Sequence, residues 1–126
     1  MVTGRPLVQA APTLDYRIRL YYTWAVDDLF DLDQLDDTDP FEIDRQAAHL
    51  FKHDPFGIDT IYEIWNSDPL FYPAIPPAHW LMLADIAGQV VMVPLAPSDH
   101  GDPAKCRPIG CYVAAEHLAD RYKEDR

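Results

Sequence analysis

Nowhere does the chain hold an uninterrupted apolar run near the roughly 18–20 residues that a bilayer-spanning helix needs. Its opening, MVTGRPLVQAAPTLDYR, has no charged lead into a continuous apolar stretch, so neither a membrane partner nor export is expected and a cytoplasmic location follows. Cysteine is scarce, with only Cys106 and Cys111. On a single strand, residues five apart point to opposite faces, which excludes a mutual bridge and predicts two thiols. No glycine-rich phosphate loop, no Gly-x-Ser-x-Gly around Ser67 or Ser98, no Cys-x-x-Cys and no His-Glu-x-x-His occurs, so nucleotidase, serine-hydrolase and zinc-protease chemistry find no support and no cofactor is expected. Basic residues are few, ten against twenty-one acids, for a formal charge of −11. Phosphate backbones are repelled by such a surface unless its few cations are gathered in one place.

What is present suffices for one core. A chain of 126 residues with 48% hydrophobic content can offset the entropy of ordering a single domain, and is short for two. Residues 1–13 carry Gly4, Pro6 and Pro12 without an apolar period and read as a mobile tail. From Leu14 the pattern alternates, with Leu14, Tyr16, Ile18, Leu20 and Tyr22 on one side, which predicts a half-buried strand. TWAVDDLFDLDQLDD follows. Val26, Leu29 and Phe30 fit a helical stripe that Thr23 can cap, with the aspartates on the solvent side. Residues 14–40 thus read as a strand plus an acidic helical extension.

Beyond Pro40 a short extended piece at Phe41 and Ile43 leads to Asp44, a candidate cap for RQAAHLFKH. Asp54-Pro55-Phe56-Gly57 breaks that helix, and Asp59 is a candidate cap for a second, in which Ile58, Ile61, Tyr62 and Trp65 recur at i, i+3, i+4 and i+7. After Asp68-Pro69 the period becomes two through LFYPAI, HWLMLADI, an Ala87-Gly88 turn, QVVMVPL and CRPIGCYVA, before a closing helix in AAEHLADRYKED. The expected fold is α+β: an antiparallel sheet of four to five strands with helices on one face, residues 14–126 forming one domain. Pro73 and Pro94 donate no ladder bond and should lie at an edge or a bulge.

The run FEIDRQAAHLFKHDPFGIDTIYEIWNSDPLF, with Phe41-Glu42-Ile43-Asp44, Lys52-His53 and Asp68-Pro69, resembles the opening of the BrnT-like branch of the RelE toxin superfamily. VVMVPLA and CRPIGCYVAAEHLADRYKED are similar to that family's central strand, arginine-bearing strand and last helix. The resemblance, over residues 41–126, implies a toxin of a type II toxin–antitoxin pair, acting as a metal-independent endoribonuclease with a cognate antitoxin as partner and RNA as substrate. Attack by the RNA 2′-OH needs a proton acceptor, a proton donor and cations at the phosphoryl oxygens. On the resemblance, His53, Arg107 and Tyr122 are the catalytic candidates, and Lys52, Lys105, Arg121 and Lys123 would hold the substrate. Departures stand beside it. Arg107 is followed at once by Pro108, and past residue 40 seven Lys and Arg still face thirteen Asp and Glu.

Other readings compete for the same residues. His49 and His53 have a metal-ligand spacing that His79, His100, Cys106 or Cys111 could complete, but surface or capping histidines fit the motif-poor context better, and no metal is expected. Arg107 can pair with a nearby acid, and Tyr122 stands at helical spacing from Leu118, as a core residue would. The aspartates from Asp27 to Asp39 can be a solvated face, a mimic of nucleic-acid charge docking on a basic partner, or a cover over Lys105 and Arg107 of the same chain. The second of these gives the alternative function: a non-catalytic acidic interaction protein that keeps the fold.

Overall fold

The computed structural model describes residues 29–43, 45–52 and 56–126. The expected tail over 1–13, the expected strand from Leu14 to Tyr22, the Thr23 and Asp44 caps and His53 lie outside the described residues. The elements in chain order are a 3-10 turn at Leu32–Gln34, helices α1 (Arg45–Lys52) and α2 (Ile58–Asn66), strands β1 (Leu70–Pro73), β2 (Trp80–Ile86), β3 (Gln89–Pro97), β4 (Cys106–Pro108) and β5 (Tyr112–Val113), and helix α3 (Glu116–Asp125). The sheet is antiparallel in the order β1-β2-β3, with β4 and β5 sharing the far side of β3. No helix among the described residues is long and apolar enough to cross a membrane.

Helix α2 forms where the four-residue recurrence demands, and its Ile61, Ile64 and Trp65 are buried. Gly57, not Asp59, occupies its N-cap without a side-chain bond, and Asp59 sits in the first turn, where its charge suits the helix dipole. At the other end the Ser67 N–H returns to the Ile64 carbonyl, Asp68 takes a left-handed φ of 59°, and Pro69 forbids a further turn.

The sheet is covered on both faces, which corrects the expectation of helices on one. Trp80, Met82, Ala84, Val91, Val93, Leu95 and Phe71 face Ile61, Ile64 and Trp65 of α2. Their neighbours in sequence, Leu83, Val90 and Tyr72, face Tyr122 of α3, with Leu81, Leu118 and Ala119 partly buried beside them. The cause lies in β2 and β3, which carry apolar residues at both odd and even positions; a strand apolar on both sides must be buried on both. Fully burying one such Leu or Val is worth about 1.5–3 kcal/mol.

CRPIGCYVA is two short strands rather than one. Leu95 pairs with Pro108 and Met92 with Tyr112, so three residues, 109–111, stand opposite two, 93–94. That bulge reverses the side-chain parity. Cys106 and Cys111, expected on opposite faces, therefore both enter the core beneath α2. The Ile109 N–H reaches the Pro94 carbonyl at 3.0 Å, so Pro94 turns its donorless nitrogen toward the bulge; Pro73 closes the edge strand β1, and both prolines sit where their missing N–H permits.

The described part of the acidic segment holds a 3-10 turn at Leu32–Gln34 in place of the short acidic helix expected from Val26, Leu29 and Phe30. Asp31 accepts from the Asp33 N–H at 2.9 Å and Asp36 accepts from the N–H groups of Thr38 and Asp39, local bonds that compete with helix. Leu32 and Leu35 enter the α2-side core, the Trp65 indole donates to the Asp37 carbonyl at 2.8 Å and the Trp80 indole to the Phe30 carbonyl at 2.9 Å. Phe41 then bridges Cys106 in parallel, extending the sheet beyond β4.

Candidate functional site

The segment and the β3–β4 loop meet around one carboxylate. Glu42 accepts from the Ser98 hydroxyl at 2.6 Å, the Asp99 N–H at 2.8 Å and faces His100 Nδ1 at 3.1 Å. Burial alone would raise its pKa, but these bonds outweigh burial and hold it at about 2. His100 shifts upward in turn, first through its hydrogen bond to Glu42 and then through that residue's charge. The Ser98 hydroxyl oxygen also accepts from the N–H groups of His100 and Asp102. Its proton goes to Glu42 and not to an imidazole, so this trio fastens a loop and does not make a nucleophile.

Lys105 and Arg107 are brought to the same end of the sheet. Lys105 donates to the Asp39 carbonyl and stands 3.5 Å from the Asp39 carboxylate, which lies in the acidic segment. Arg107 uses Nε both for the Pro97 carbonyl at 3.1 Å and for Asp99 at 3.2 Å. Of the two cations that the covering reading of the acidic segment assigns to it, the segment contacts Lys105, while Arg107 is met by its own loop. Asp39 is further anchored by the Tyr62 hydroxyl at 2.5 Å, which, with the Lys105 charge, keeps its pKa low against burial.

The remaining candidates stand apart. Tyr122 is 5% exposed and clusters with Val90, Leu83 and Tyr72, so its ring serves the core and presents no face for a base. Val90 and Ala96, the partner of Arg107, are six positions apart on β3, about 20 Å along the strand. Arg121 pairs with Asp125 at 3.7 Å, and Asp125 also accepts from the Tyr72 hydroxyl at 2.7 Å. Lys52 and Lys123 are exposed at helix ends. Of the histidines weighed for metal, His79 accepts from the Phe30 N–H and His100 serves Glu42; among the described residues no group of three or more His, Cys, Asp or Glu could hold an ion.

Sequence reasoning met Glu42 only within the Phe41-Glu42-Ile43-Asp44 motif and Ser98 only as a serine without a hydrolase motif, gave neither a role, and passed over Asp99. Their contacts span 56 and 57 residues, and nothing in either local motif pairs them. Comparison with protein-family models, curated proteins and solved structures gave no match.

Proposed function

We propose that this chain is a non-catalytic acidic interaction protein that docks on a basic, nucleic-acid-handling partner. The observation that carries the reading is the state of the would-be catalytic groups: Lys105, Arg107 and Arg121 each have a carboxylate within 3.7 Å, and Tyr122 is inside the core. A ribonuclease needs cations that are neutralised by its substrate, not by itself. Asp31, Asp33, Asp36 and Asp37 remain at the surface, on backbone held rigid by the two indole bonds, so their charge is presented without an ordering cost on binding. The leucines among them do not serve as anchors for a partner, because Leu32 and Leu35 are spent in the chain's own core. Affinity then comes from charge, and salt should weaken it.

The test is affinity recovery of partners by the wild type and by a variant with Asp31, Asp33 and Asp36 changed to Asn, which keeps the capping acceptors and removes three charges. A basic nucleic-acid-binding protein held by the wild type, and released by the variant or by salt, supports the reading. Equal retention by both proteins overturns it.

A second reading, the toxin-related metal-independent endoribonuclease with a cognate antitoxin, is favoured by one detail. Both polar contacts of Arg107 go through Nε. Its two terminal nitrogens lie outside those bonds and suit a phosphate. In that reading His53, Lys52 and Lys123 would have to supply the proton transfer and the added charge.

A further inference from the structure

Phe30 is gripped by both of its backbone groups. Its carbonyl accepts from the Trp80 indole at 2.9 Å, and its N–H donates to His79 Nδ1 at 2.9 Å. The rings of Phe30 and His79 also stack, with centroids 5.4 Å apart and planes 22° from parallel. The backbone of His79 is fixed independently of its ring, by its N–H to the Leu95 carbonyl at 2.7 Å and its carbonyl to the Ala74 N–H at 3.0 Å. The acceptor is therefore held in place by the sheet, and what it holds is the acidic segment at Phe30.

A ring nitrogen that accepts a backbone N–H carries no proton of its own. Neutral imidazole meets this requirement with its hydrogen on Nε2; imidazolium, with both nitrogens protonated, does not. A second proton, on Nδ1, would set two N–H groups against each other and break the Phe30 bond. Among the described residues, Ala74, which follows β1, and Leu95 of β3, both bonded to the His79 backbone, and its neighbour Trp80 carry no titratable group. On the described part of the segment the carboxylates next in sequence to Phe30 are Asp31, whose Oδ1 is turned to the Asp33 N–H, and the exposed Asp33.

We propose that His79 is a proton-operated fastener that holds Leu29 and Phe30 on the sheet when neutral and lets them go when protonated. Leu32 and Leu35 stay buried in both states, so the release is local to residues 29–30 and the indole of Trp80, and the fold persists. The device sits within the acidic segment and sets, through protonation of an imidazole, how the segment around Phe30 is presented.

The experiment is amide hydrogen exchange by NMR on the full chain between pH 7.5 and 5, following Phe30 with Val93 as the core reference. The protection factor of Phe30 should fall at least tenfold on acidification while that of Val93 holds. In His79→Asn the amide oxygen takes the place of Nδ1 and does not titrate, so Phe30 protection should become independent of pH. Unchanged Phe30 protection in the wild type down to pH 5 would overturn the proposal, and so would the same fall in His79→Asn.

Discussion

The Tyr62 hydroxyl donates to one oxygen of Asp39 at 2.5 Å while the other oxygen faces Lys105 at 3.5 Å, so a helix residue positions an acidic-segment carboxylate on a cation of the β3–β4 connection. Tyr62 is pushed up to about 12, chiefly by burial and then by this bond. Tyr62→Phe removes the bond and should cost about 1 kcal/mol, the usual net worth of one hydrogen bond. Urea denaturation measures it, and an unchanged midpoint would deny the contact any role.

Removing Glu42 should cost more. Gln in its place offers one acceptor oxygen to three partners and loses the charge, so Glu42→Gln should destabilise by about 2 kcal/mol, as for hydrogen bonds to charged groups. The pH sign also follows. Glu42 folds with its pKa depressed from 4.5 to about 2, so its contribution is present above about 4.5 and is lost as pH falls toward 2. His100 has a raised pKa, so its smaller, solvent-screened contribution is complete below its ordinary value and fades as pH rises through the raised one. Thermal melts of wild type and Glu42→Gln should converge on acidification toward pH 2.

The acidic segment is structural, and cutting it away should unfold the protein. A chain beginning at Pro40 loses Leu32 and Leu35 from the core and both indole partners. Leu32→Ala alone should cost about 2–4 kcal/mol. Circular dichroism and urea melts check both, and a cooperative, native-like melt of the truncated chain would show that the segment is an appendage.

Ala87 and Gly88 turn the β2–β3 hairpin with φ of 55° and 87°, and the Asp85 carboxylate accepts from the Gly88 N–H at 2.8 Å. The left-handed conformation disfavours Ala and suits Asn, so Ala87→Asn should stabilise by about 1 kcal/mol. A lower melting temperature would contradict the assignment of the turn.

Buried thiols should be inert in the native state. Burial pushes Cys106 up to about 12, with the Glu42 charge adding to the effect, and Cys111 is buried in the same core. A thiol reagent at pH 8 should label neither residue until denaturant is added. Rapid native labelling would place the bulge differently.

Sequence carried the elements further than it carried their arrangement. The recurrence Ile58, Ile61, Tyr62, Trp65 specified α2, and the apolar runs HWLMLADI and QVVMVPL on either side of the Ala87-Gly88 turn specified β2 and β3, because such local patterns depend only on neighbours in the chain. The side on which α3 docks was not legible from its own pattern; it follows from the second apolar face of β2 and β3. The reversal of parity between Cys106 and Cys111 depends on a bulge whose only local sign is Pro108, Gly110 and the distant Pro94. The aspartates of the segment fit both a helix face and capping turns, and the two tryptophans, far along the chain, decide for turns. At the site Lys105 and Arg107 were singled out early, while their partners Asp39 and Asp99 and the Glu42 clamp emerge only from long-range contacts.

The central claim is that Lys105, Arg107, Arg121 and Tyr122 are engaged by the chain itself and that the protein performs no RNA chemistry. Induced expression of the wild type and of Arg107→Ala, with cellular RNA examined for cleavage and folding confirmed in both, tests it most directly. The account predicts unimpaired growth and intact RNA with either protein. Growth arrest with RNA cleavage by the wild type, abolished in Arg107→Ala, would contradict it and establish the ribonuclease.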